Sequence, residues 1–396
     1  MTLEQSIISS LGILNLTLGQ AIMMLLALFF MYLSIVKKYE PLLLLPLAFG
    51  ILIANLPIVG LNAYHFNPNR FNEIDGNFLP GLMNFLYNGI RLVIYPPLIF
   101  LCIGTMTDFS PLIASPRSAL IGLGGQLGIF IAMGTSYLLG NFLAPYVPGF
   151  DGFTLKEAAA IGIIGSSDGP TSIFTATRLA PDLLPPIAIA AFSYMALVPF
   201  IQPPIMKLLT TAKERVIVMP EPKRVTQKQK ILFPIILAIV TLLLVPAAGA
   251  LIAMLMLGNL IRESGVADRF VHAFQNDLLS ILTFLVALSI GSSATADRFL
   301  TVQTLIIIFC GLLAFCFGTV GGILVAKLLC KITGGKVNPL IGNSGVSAMP
   351  MAARISQRMG QKYNPDNYLL MHAMGPIVSS TIGSAIIAGI FISYFN

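Results

Sequence analysis

Apolar stretches of about 20 residues, the length that crosses the hydrocarbon core of a bilayer as a helix, follow one another along almost the whole sequence. The stretches are continuous rather than alternating between apolar and polar positions, so they predict helices and not the strands of a transmembrane barrel. Only 10% of the 396 residues are Asp, Glu, Lys or Arg, whereas a soluble domain has roughly 25%. The sequence therefore predicts an all-α polytopic membrane protein, and it excludes a disordered chain, a nucleic-acid-binding module and a water-soluble enzyme.

About ten transmembrane helices are predicted from these stretches, in two groups separated by a charged linker. The first group is residues 16–36, 41–59, 79–106 (interrupted by Pro96-Pro97), 119–142 and 184–209. The second group is residues 231–247, 248–261, 278–292, 301–328 and 368–394. Consecutive helices are expected to cross the membrane in alternating directions.

The linker at residues 210–230 is the longest charged stretch and divides the chain into an N-terminal membrane repeat, residues 1–209, and a C-terminal one, residues 231–396. Together with Lys207 it carries Lys213, Arg215, Lys223, Arg224, Lys228 and Lys230 against Glu214 and Glu221. Basic loops beside membrane helices lie on the cytoplasmic side. The linker is therefore predicted to be cytoplasmic, and the formal net charge of +7 needs no nucleic-acid partner to explain it.

Two segments rich in Gly, Ser and Asn, residues 158–177 and 338–359, differ from the ordinary spans. If residues 158–177 crossed the membrane completely, alternation from a cytoplasmic Lys37-Lys38 would place the basic linker outside. The distribution of basic residues therefore favours a re-entrant or broken hairpin at this segment. The same count makes residues 338–359 a second hairpin that enters from the cytoplasmic side, opposite to the first.

The two hairpins share a sequence pattern, since IG-x-x-G-x-S-x-x-P at residues 161–170 reappears at residues 341–350. A chance match in a Gly-rich chain is the alternative. A repeat whose halves have opposite orientations predicts an inverted-topology architecture with about five spans and one hairpin in each half. Secondary transporters are built in this way, and their ion or substrate sites lie near the midplane, at the broken segments.

Asp168 is the most informative single residue, because it lies at membrane depth within the sequence GSSDGPT at 165–171. A carboxylate at the bilayer centre costs roughly 2.5–3.5 kcal/mol, so it needs a partner. The Gly and Pro residues break the helix and leave backbone carbonyls unpaired. Carboxylate, hydroxyl and carbonyl oxygens together suit a hard cation. The alternative is an N-cap carboxylate that accepts hydrogen bonds from backbone N–H groups.

The second hairpin offers neutral oxygens from Asn338, Asn343, Ser344 and Ser347, although a Gly-rich packing turn would explain them as well. Tyr194 lies in an apolar span, where a buried Tyr with one hydrogen bond is the ordinary case. Arg354 follows the second hairpin. It is either a cytoplasmic anchor of the kind that the positive-inside rule predicts or a fork that holds a carboxylate by two hydrogen bonds.

Several long stretches of the chain resemble the β subunit of the sodium-pumping, biotin-dependent decarboxylases, which act on oxaloacetate, methylmalonyl-CoA, glutaconyl-CoA or malonate. The matching stretches spread over about residues 80–390 and keep the same order. They are PPLIFL at 96–101, TMTDF at 105–109, SDGPT at 167–171, GNLIRESG at 258–265, NPLIGNSGVSAMPMAAR at 338–354 and MHAMGP at 371–376.

The resemblance implies an elevator-like membrane subunit in a multi-subunit complex of a prokaryotic cytoplasmic membrane. A carboxyltransferase α subunit would move a carboxyl group to biotin on a carrier protein or domain. The β subunit would decarboxylate this carboxybiotin, export Na⁺ and consume a proton, beside a small γ/δ-type membrane subunit. The decarboxylated substrate and any homo-oligomeric state remain open. The alternative is a Na⁺-coupled secondary transporter, for Na⁺/H⁺ or Na⁺/carboxylate, without decarboxylase activity.

The resemblance also implies roles for individual residues. Asp168, Tyr194 and Arg354 are expected to be catalytic, and Arg354 and Asn338 to contact carboxybiotin. The expected Na⁺ residues are Asp168, Ser167, Asn338, Gly342 and Ser347. One position departs from the family, because Ile377 follows the Gly-Pro of the last span where Asn is common. Ser167, which stands where the family commonly has Ala, is a candidate replacement ligand.

Overall fold

The computed structural model describes residues 16–57, 82–221 and 224–395, and within these ranges the regular secondary structure is entirely helical. Seven of the described helices are long and apolar enough to cross a membrane, and the number rises to nine if two bent helix pairs each count as one span. The shorter apolar helix Pro41–Asn55 occupies the place of the second predicted span. The prediction of an all-α polytopic membrane protein is therefore confirmed.

The helices are as follows, in chain order: α1 Leu18–Ile35, α2 Pro41–Asn55, α3 Leu82–Arg91, α4 Tyr95–Met106, α5 Ser110–Ala114, α6 Ala119–Gly125, α7 Leu127–Leu143, α8 Leu155–Gly162, α9 Gly169–Leu179, α10 Leu184–Leu209, α11 Ala212–Arg215, α12 Gln227–Leu244, α13 Gly249–Ser264, α14 Asp268–His272, α15 Leu279–Ser293, α16 Ala296–Phe299, α17 Val302–Ile332, α18 Met351–Tyr363 and α19 Leu370–Phe395. Short 3₁₀ segments at Ile163–Ser166 and Pro339–Gly345 belong to the two predicted hairpins.

The chain forms two compact units, and each unit combines helices from before and after the linker. Unit 1 comprises residues 1–95 and 279–305, and its helix α2 packs against α1 and α15. Unit 2 comprises residues 96–278 and 306–396 and contains both predicted hairpins. The linker is thus a boundary in the sequence but not a boundary between the compact units.

A close helix crossing is built in the same way in each unit. In unit 1, α2 and α15 cross at Gly50 and Gly291, where a Cβ atom on Gly291 would lie 2.1 Å from the carbonyl oxygen of Leu47. In unit 2, α4 and α13 cross at Gly104 and Gly258, and a Cβ atom on either glycine would lie 2.1 Å from a carbonyl oxygen of the other helix. Only glycine permits backbones to approach so closely.

An asparagine side chain forms a hydrogen bond across each of these crossings. Asn55 donates its amide to the carbonyl of Ala294 at 2.9 Å in unit 1, and Asn259 donates to the carbonyl of Thr107 at 2.8 Å in unit 2. Each crossing pairs one helix from before the linker with one from after it. An internal repeat of the chain would produce this matched pair of contacts.

The first hairpin consists of α8, the 3₁₀ turn Ile163–Ser166 and α9. Thr154 and Glu157 form a capping box that starts α8. The helix then breaks at Ser167, whose φ of 56° lies in the left-handed region, and α9 begins after Asp168 with Pro170 in its first turn. The Ser-Asp-Gly-Pro sequence predicted this break, because Pro suits the first turn of a helix and Asp suits its N-cap.

The second hairpin begins at Asn338, which caps the 3₁₀ turn Pro339–Gly345. Extended backbone at Val346 follows, and α18 starts at Met351. The two hairpins therefore share a sequence pattern but not one backbone conformation, since Ser167 is left-handed and its counterpart Ser347 is not among the positive-φ residues of the described chain.

Candidate functional site

The tips of the two hairpins meet within unit 2. The backbone N–H of Ser347 in the second hairpin donates to the carbonyl of Ser166 in the first at 2.9 Å. The helix pair α6–α7 lies against both tips through glycines. A Cβ atom on Gly125 would lie 1.7 Å from the carbonyl oxygen of Gly345, and one on Gly128 would lie 3.0 Å from that of Gly165. The broken segments are therefore in direct backbone contact, as expected for residues that form one site.

The carboxylate of Asp168 lies at this meeting point and is 5% exposed. It accepts hydrogen bonds from the backbone N–H of Thr171 at 3.3 Å and from the Thr171 hydroxyl at 2.8 Å. The hydroxyl of Ser384, in α19, donates to its Oδ2 atom at 3.1 Å. Asp168 is thus the N-cap of α9, as the alternative interpretation held, and it also joins the hairpin to α19.

None of the basic side chains in the described ranges lies within ion-pair distance of Asp168. Only hydroxyls and one backbone amide therefore stabilise its negative charge. A buried carboxylate without a positive partner strongly favours either a proton or a bound cation.

A stripe of hydroxyls on α19 connects the two hairpins. Ser384 contacts Asp168 of the first hairpin, and one turn earlier Ser380 accepts a hydrogen bond from the hydroxyl of Ser347 in the second hairpin at 3.0 Å. Ile377 lies a further turn back, is completely buried, and packs in an apolar cluster with Val346. The position at which the family commonly has Asn is therefore apolar here.

Ser167 places its hydroxyl in the interior with no hydrogen-bond partner in the described chain. The residue is 2% exposed. Buried polar groups are almost always hydrogen-bonded, so an unpartnered hydroxyl beside Asp168 fits the expected cation ligand.

Asn338 and Gly342, two other predicted Na⁺ residues, make different contacts. Asn338 donates to the carbonyls of Arg215 and Ile217 at 3.2 and 2.8 Å and accepts from the backbone N–H of Leu340 at 2.9 Å. Gly342 packs against α17, and a Cβ atom there would lie 2.4 Å from the Cα of Ile323. The structure therefore does not bring the Asn338 amide to Asp168, and it gives Gly342 a packing role.

The start of the linker makes further contacts with the end of α18 and with the residues that follow it. The Arg215 guanidinium lies 4.9 Å from the ring centroid of Tyr363 and donates to its hydroxyl at 2.8 Å. Asn367 donates to the carbonyl of Arg215 at 3.1 Å. Burial raises the pKa of the Glu214 carboxyl, but hydrogen bonds from Thr211 and the charge of Lys327 outweigh this effect and lower that pKa overall. The linker is thus an ordered part of unit 2 at this end.

In the described chain, neither Tyr194 nor Arg354 forms a hydrogen bond or an ion pair with the Asp168 carboxylate. Tyr194 is buried, its hydroxyl donates to the carbonyl of Ile308, and its ring packs on Gly311 of α17. Arg354 is exposed on α18, and within the described chain no side-chain partner is found for it. Arg358 and Lys362 follow at four-residue intervals and are also exposed, so the three cations share one face of the helix.

Comparison with known proteins decides the family. The sequence model of one protein family, the Na⁺-transporting oxaloacetate decarboxylase beta subunit, matches residues 19–395. This chain belongs to that family. It is 50% identical over 392 residues to the methylmalonyl-CoA decarboxylase subunit beta of Veillonella parvula, which covers 99% of this chain and 97% of the relative.

Two further relatives of the beta-subunit family are similar over nearly their whole length. The glutaconyl-CoA decarboxylase subunit beta of Acidaminococcus fermentans is 50% identical over 384 residues, covering 97% of this chain and 95% of its own. The oxaloacetate decarboxylase beta chain of Klebsiella pneumoniae is 44% identical over 430 aligned positions, covering 98% of each chain. The resemblance seen in the sequence motifs is confirmed: the chain is a multi-pass membrane protein of the Na⁺-transporting decarboxylase beta-subunit family.

Four residues of this beta-subunit family member that contact the junction were not predicted from the sequence: Thr171, Ser384, Ser380 and Gln126, whose amide donates to the Ser380 hydroxyl at 2.9 Å. The run SSTIGS at 379–384 was the available signal, because hydroxyls in an apolar span need partners. The single glutamine in the fourth span was another such signal. Neither pattern says which distant residue the side chain contacts.

Proposed function

We propose that this chain is the membrane subunit that decarboxylates carboxybiotin on a separate biotin carrier and couples the reaction to Na⁺ export, with consumption of a proton. Membership of the family supports the coupling to Na⁺. The observation that carries the proposal is the Asp168 carboxylate, buried at the junction of the two hairpins and held by the hydroxyls of Thr171 and Ser384 without a basic partner.

The chemistry follows from the charge at this junction. Cleavage of the N–C bond of carboxybiotin releases CO₂ and leaves an electron pair on the biotin nitrogen, which takes up a proton. A carboxylate that alternates between H⁺ and Na⁺ links the supply of this proton to the movement of the cation. Hydroxyl groups serve both states, because they donate to a bare carboxylate and offer lone pairs to a cation. We assign the Na⁺ to Asp168, Ser167 and Ser347.

The other predicted residues take roles that their contacts support. Arg354 is exposed at the start of α18 and is proposed to hold the carboxylate of carboxybiotin by a bidentate hydrogen bond. Asn338 is proposed as a positioning residue, since all of its described polar contacts go to the linker and its own turn. Tyr194 anchors α10 to α17 beside the first hairpin.

The proposed partners are a carboxyltransferase α subunit, a biotin carrier and a small γ/δ-type membrane subunit. The relatives bear the names of methylmalonyl-CoA, glutaconyl-CoA and oxaloacetate decarboxylases at similar identities. The membrane chain therefore does not distinguish the substrate, which the carboxyltransferase would select.

A requirement for biotin tests this function. The complete complex is reconstituted into vesicles, and Na⁺ uptake is followed on addition of the decarboxylated substrate, with and without avidin. We expect avidin to abolish uptake. A Na⁺-coupled secondary transporter would continue to move Na⁺ in the presence of avidin when an imposed H⁺ or carboxylate gradient drives it. That result would overturn the proposal.

A further inference from the structure

We propose that Gln126 supplies a neutral oxygen ligand to the transported cation at the meeting point of the hairpins, an inference that rests on the proposed function. Gln126 stands between α6 and α7 within the helical segment Pro116–Tyr146 and interrupts its regular hydrogen bonding. Its N–H donates to the carbonyl of Leu123, and its own carbonyl accepts from Ile129, so both bonds span three residues. Such a 3₁₀-like break in a helix often marks a functional position.

The neighbours of Gln126 fix its depth in the protein. Gly125 precedes it and lies against the backbone of Gly345 in the second hairpin. Gly128 follows two residues later and lies against Gly165 in the first. Gln126 is therefore at the level at which the hairpin tips touch, between the two contact points.

The hydrogen bonds of the side-chain amide determine which way its oxygen faces. Nε2 donates to the carbonyl of Ser380 at 3.1 Å and to its hydroxyl at 2.9 Å, with a longer contact of 3.4 Å to the carbonyl of Gly122. Carbonyl oxygens only accept hydrogen bonds, so the nitrogen must face them. Oε1 points elsewhere, and although Gln126 is 3% exposed, this oxygen has no hydrogen-bond partner in the described chain.

A cation accounts for this oxygen better than a packing role does. Ser167, at the tip of the first hairpin, also has a buried hydroxyl without a partner. Ser380 holds the Gln126 amide and also receives the hydroxyl of Ser347, a proposed Na⁺ residue. Amide carbonyl oxygens of Asn and Gln are among the ligands that hard cations take in proteins. A bound water is the competing explanation, and the experiment below separates the two.

Gln202 provides a matched control, because it is a buried glutamine of the same unit whose amide nitrogen and amide oxygen each have a hydrogen-bond partner. Its Nε2 donates to the carbonyl of Asn343 at 2.9 Å, and its Oε1 accepts from the Asn343 amide at 2.9 Å. It is completely buried. Loss of this pair of hydrogen bonds should destabilise the fold without changing the affinity for Na⁺.

The test is the dependence of the thermal midpoint of the intact complex on Na⁺, with choline replacing Na⁺ at constant ionic strength and K⁺ as a specificity control. A ligand that binds the folded state raises the midpoint. We expect Gln126→Met to raise the half-saturating Na⁺ concentration about tenfold or more, as for the loss of one buried polar partner. Gln202→Met should lower the midpoint at every Na⁺ concentration and leave the half-saturating concentration unchanged.

Gln126→Glu is the second variant, and it keeps an oxygen at the same place while adding a charge. Its half-saturating Na⁺ concentration should fall more than that of the wild type as the pH is raised from 7 to 9, because the added carboxylate attracts the cation more strongly once it is ionised. A wild-type Na⁺ dependence in Gln126→Met would show that Oε1 binds water only. If that variant does not fold, a Na⁺ dependence of Gln126→Glu that equals that of the wild type at both pH values overturns the inference. A wild-type complex that shows no Na⁺-specific rise would instead count against the proposed function itself.

Discussion

The substitution Asp168→Asn tests the centre of the proposed mechanism. Asn has the shape of Asp, so the N-cap of α9 and the contact with α19 should survive. The Thr171 N–H can still donate to the amide oxygen, and the hydroxyls of Thr171 and Ser384 can rotate to accept from the amide nitrogen. We therefore expect the variant to insert into the membrane and to keep its thermal stability within about 1 kcal/mol.

The loss of charge should weaken Na⁺ binding far more than it destabilises the fold. Asp168 has no basic partner in the part of the chain that the structure describes, so the whole of its attraction is available to the cation. Two unit charges about 4 Å apart attract each other by about 4 kcal/mol at an effective dielectric constant near 20. Removing this attraction corresponds to roughly a thousandfold loss of affinity. The Asn side chain also cannot carry the coupled proton.

The assay is Na⁺-dependent decarboxylation of carboxybiotin by the reconstituted complex, with Na⁺ uptake measured in the same vesicles. Asp182→Asn, the same change at an exposed carboxylate of unit 2, is the control and should behave like the wild type. We expect Asp168→Asn to lose both activities at every accessible Na⁺ concentration. Near-normal decarboxylation with an unchanged Na⁺ dependence would refute the assignment of Asp168.

Four further predictions follow from the same geometry. Ser347→Ala should raise the Na⁺ concentration for half-maximal decarboxylation roughly ten- to a hundredfold, because a lost oxygen ligand costs about 1–3 kcal/mol; an unchanged value would remove the second hairpin from the cation site. Arg354→Ala should weaken the use of the biotin carrier, seen as a higher carrier concentration for half-maximal rate, and leave the Na⁺ dependence alone. Asn338→Ala should increase cleavage of the linker by trypsin and destabilise the protein by about 1–3 kcal/mol, with little change in Na⁺ dependence; a large rise in the Na⁺ requirement with a protected linker would make it a direct ligand. In a cysteine-free background, a single cysteine at residue 226 should resist an impermeant reagent added outside, whereas one at Tyr394 should react; external labelling of residue 226 would contradict the cytoplasmic linker and the inverted orientation of the hairpins.

Local features of the chain were sufficient to predict the class of the protein and the break in the first hairpin, but not the position of every break. An apolar stretch of sufficient length predicts a membrane-spanning helix, because a helix pairs the backbone polar groups of the segment with one another where no water is present. The interruption of the third span shows the limit of this reasoning. The sequence places it at Pro96-Pro97, but the helix α4 begins at Tyr95, so the prolines lie in its first turn and the break precedes them. Proline is compatible with the first turn, where its missing N–H has no partner to lose.

The break in the first hairpin could also be predicted from the sequence, because Ser167, Asp168 and Pro170 determine the conformation of the backbone at their own positions. The break and the N-cap are local events, decided over four residues. By contrast, the partner of Asp168 in α19 lies 216 positions away in the sequence. The sequence shows only that Ser384 is a hydroxyl in an apolar span.

Only the tertiary structure distinguished among polar residues that look alike in the sequence. Asn338 and Ser347 belong to one motif, yet Asn338 turns to the linker and Ser347 turns to Ser380. Gln126 and Gln202 are both single glutamines in apolar helices, yet one amide oxygen is paired and the other is not. The physical reason is that helix formation depends on neighbouring residues, whereas the partner of a buried polar group depends on which helices pack together.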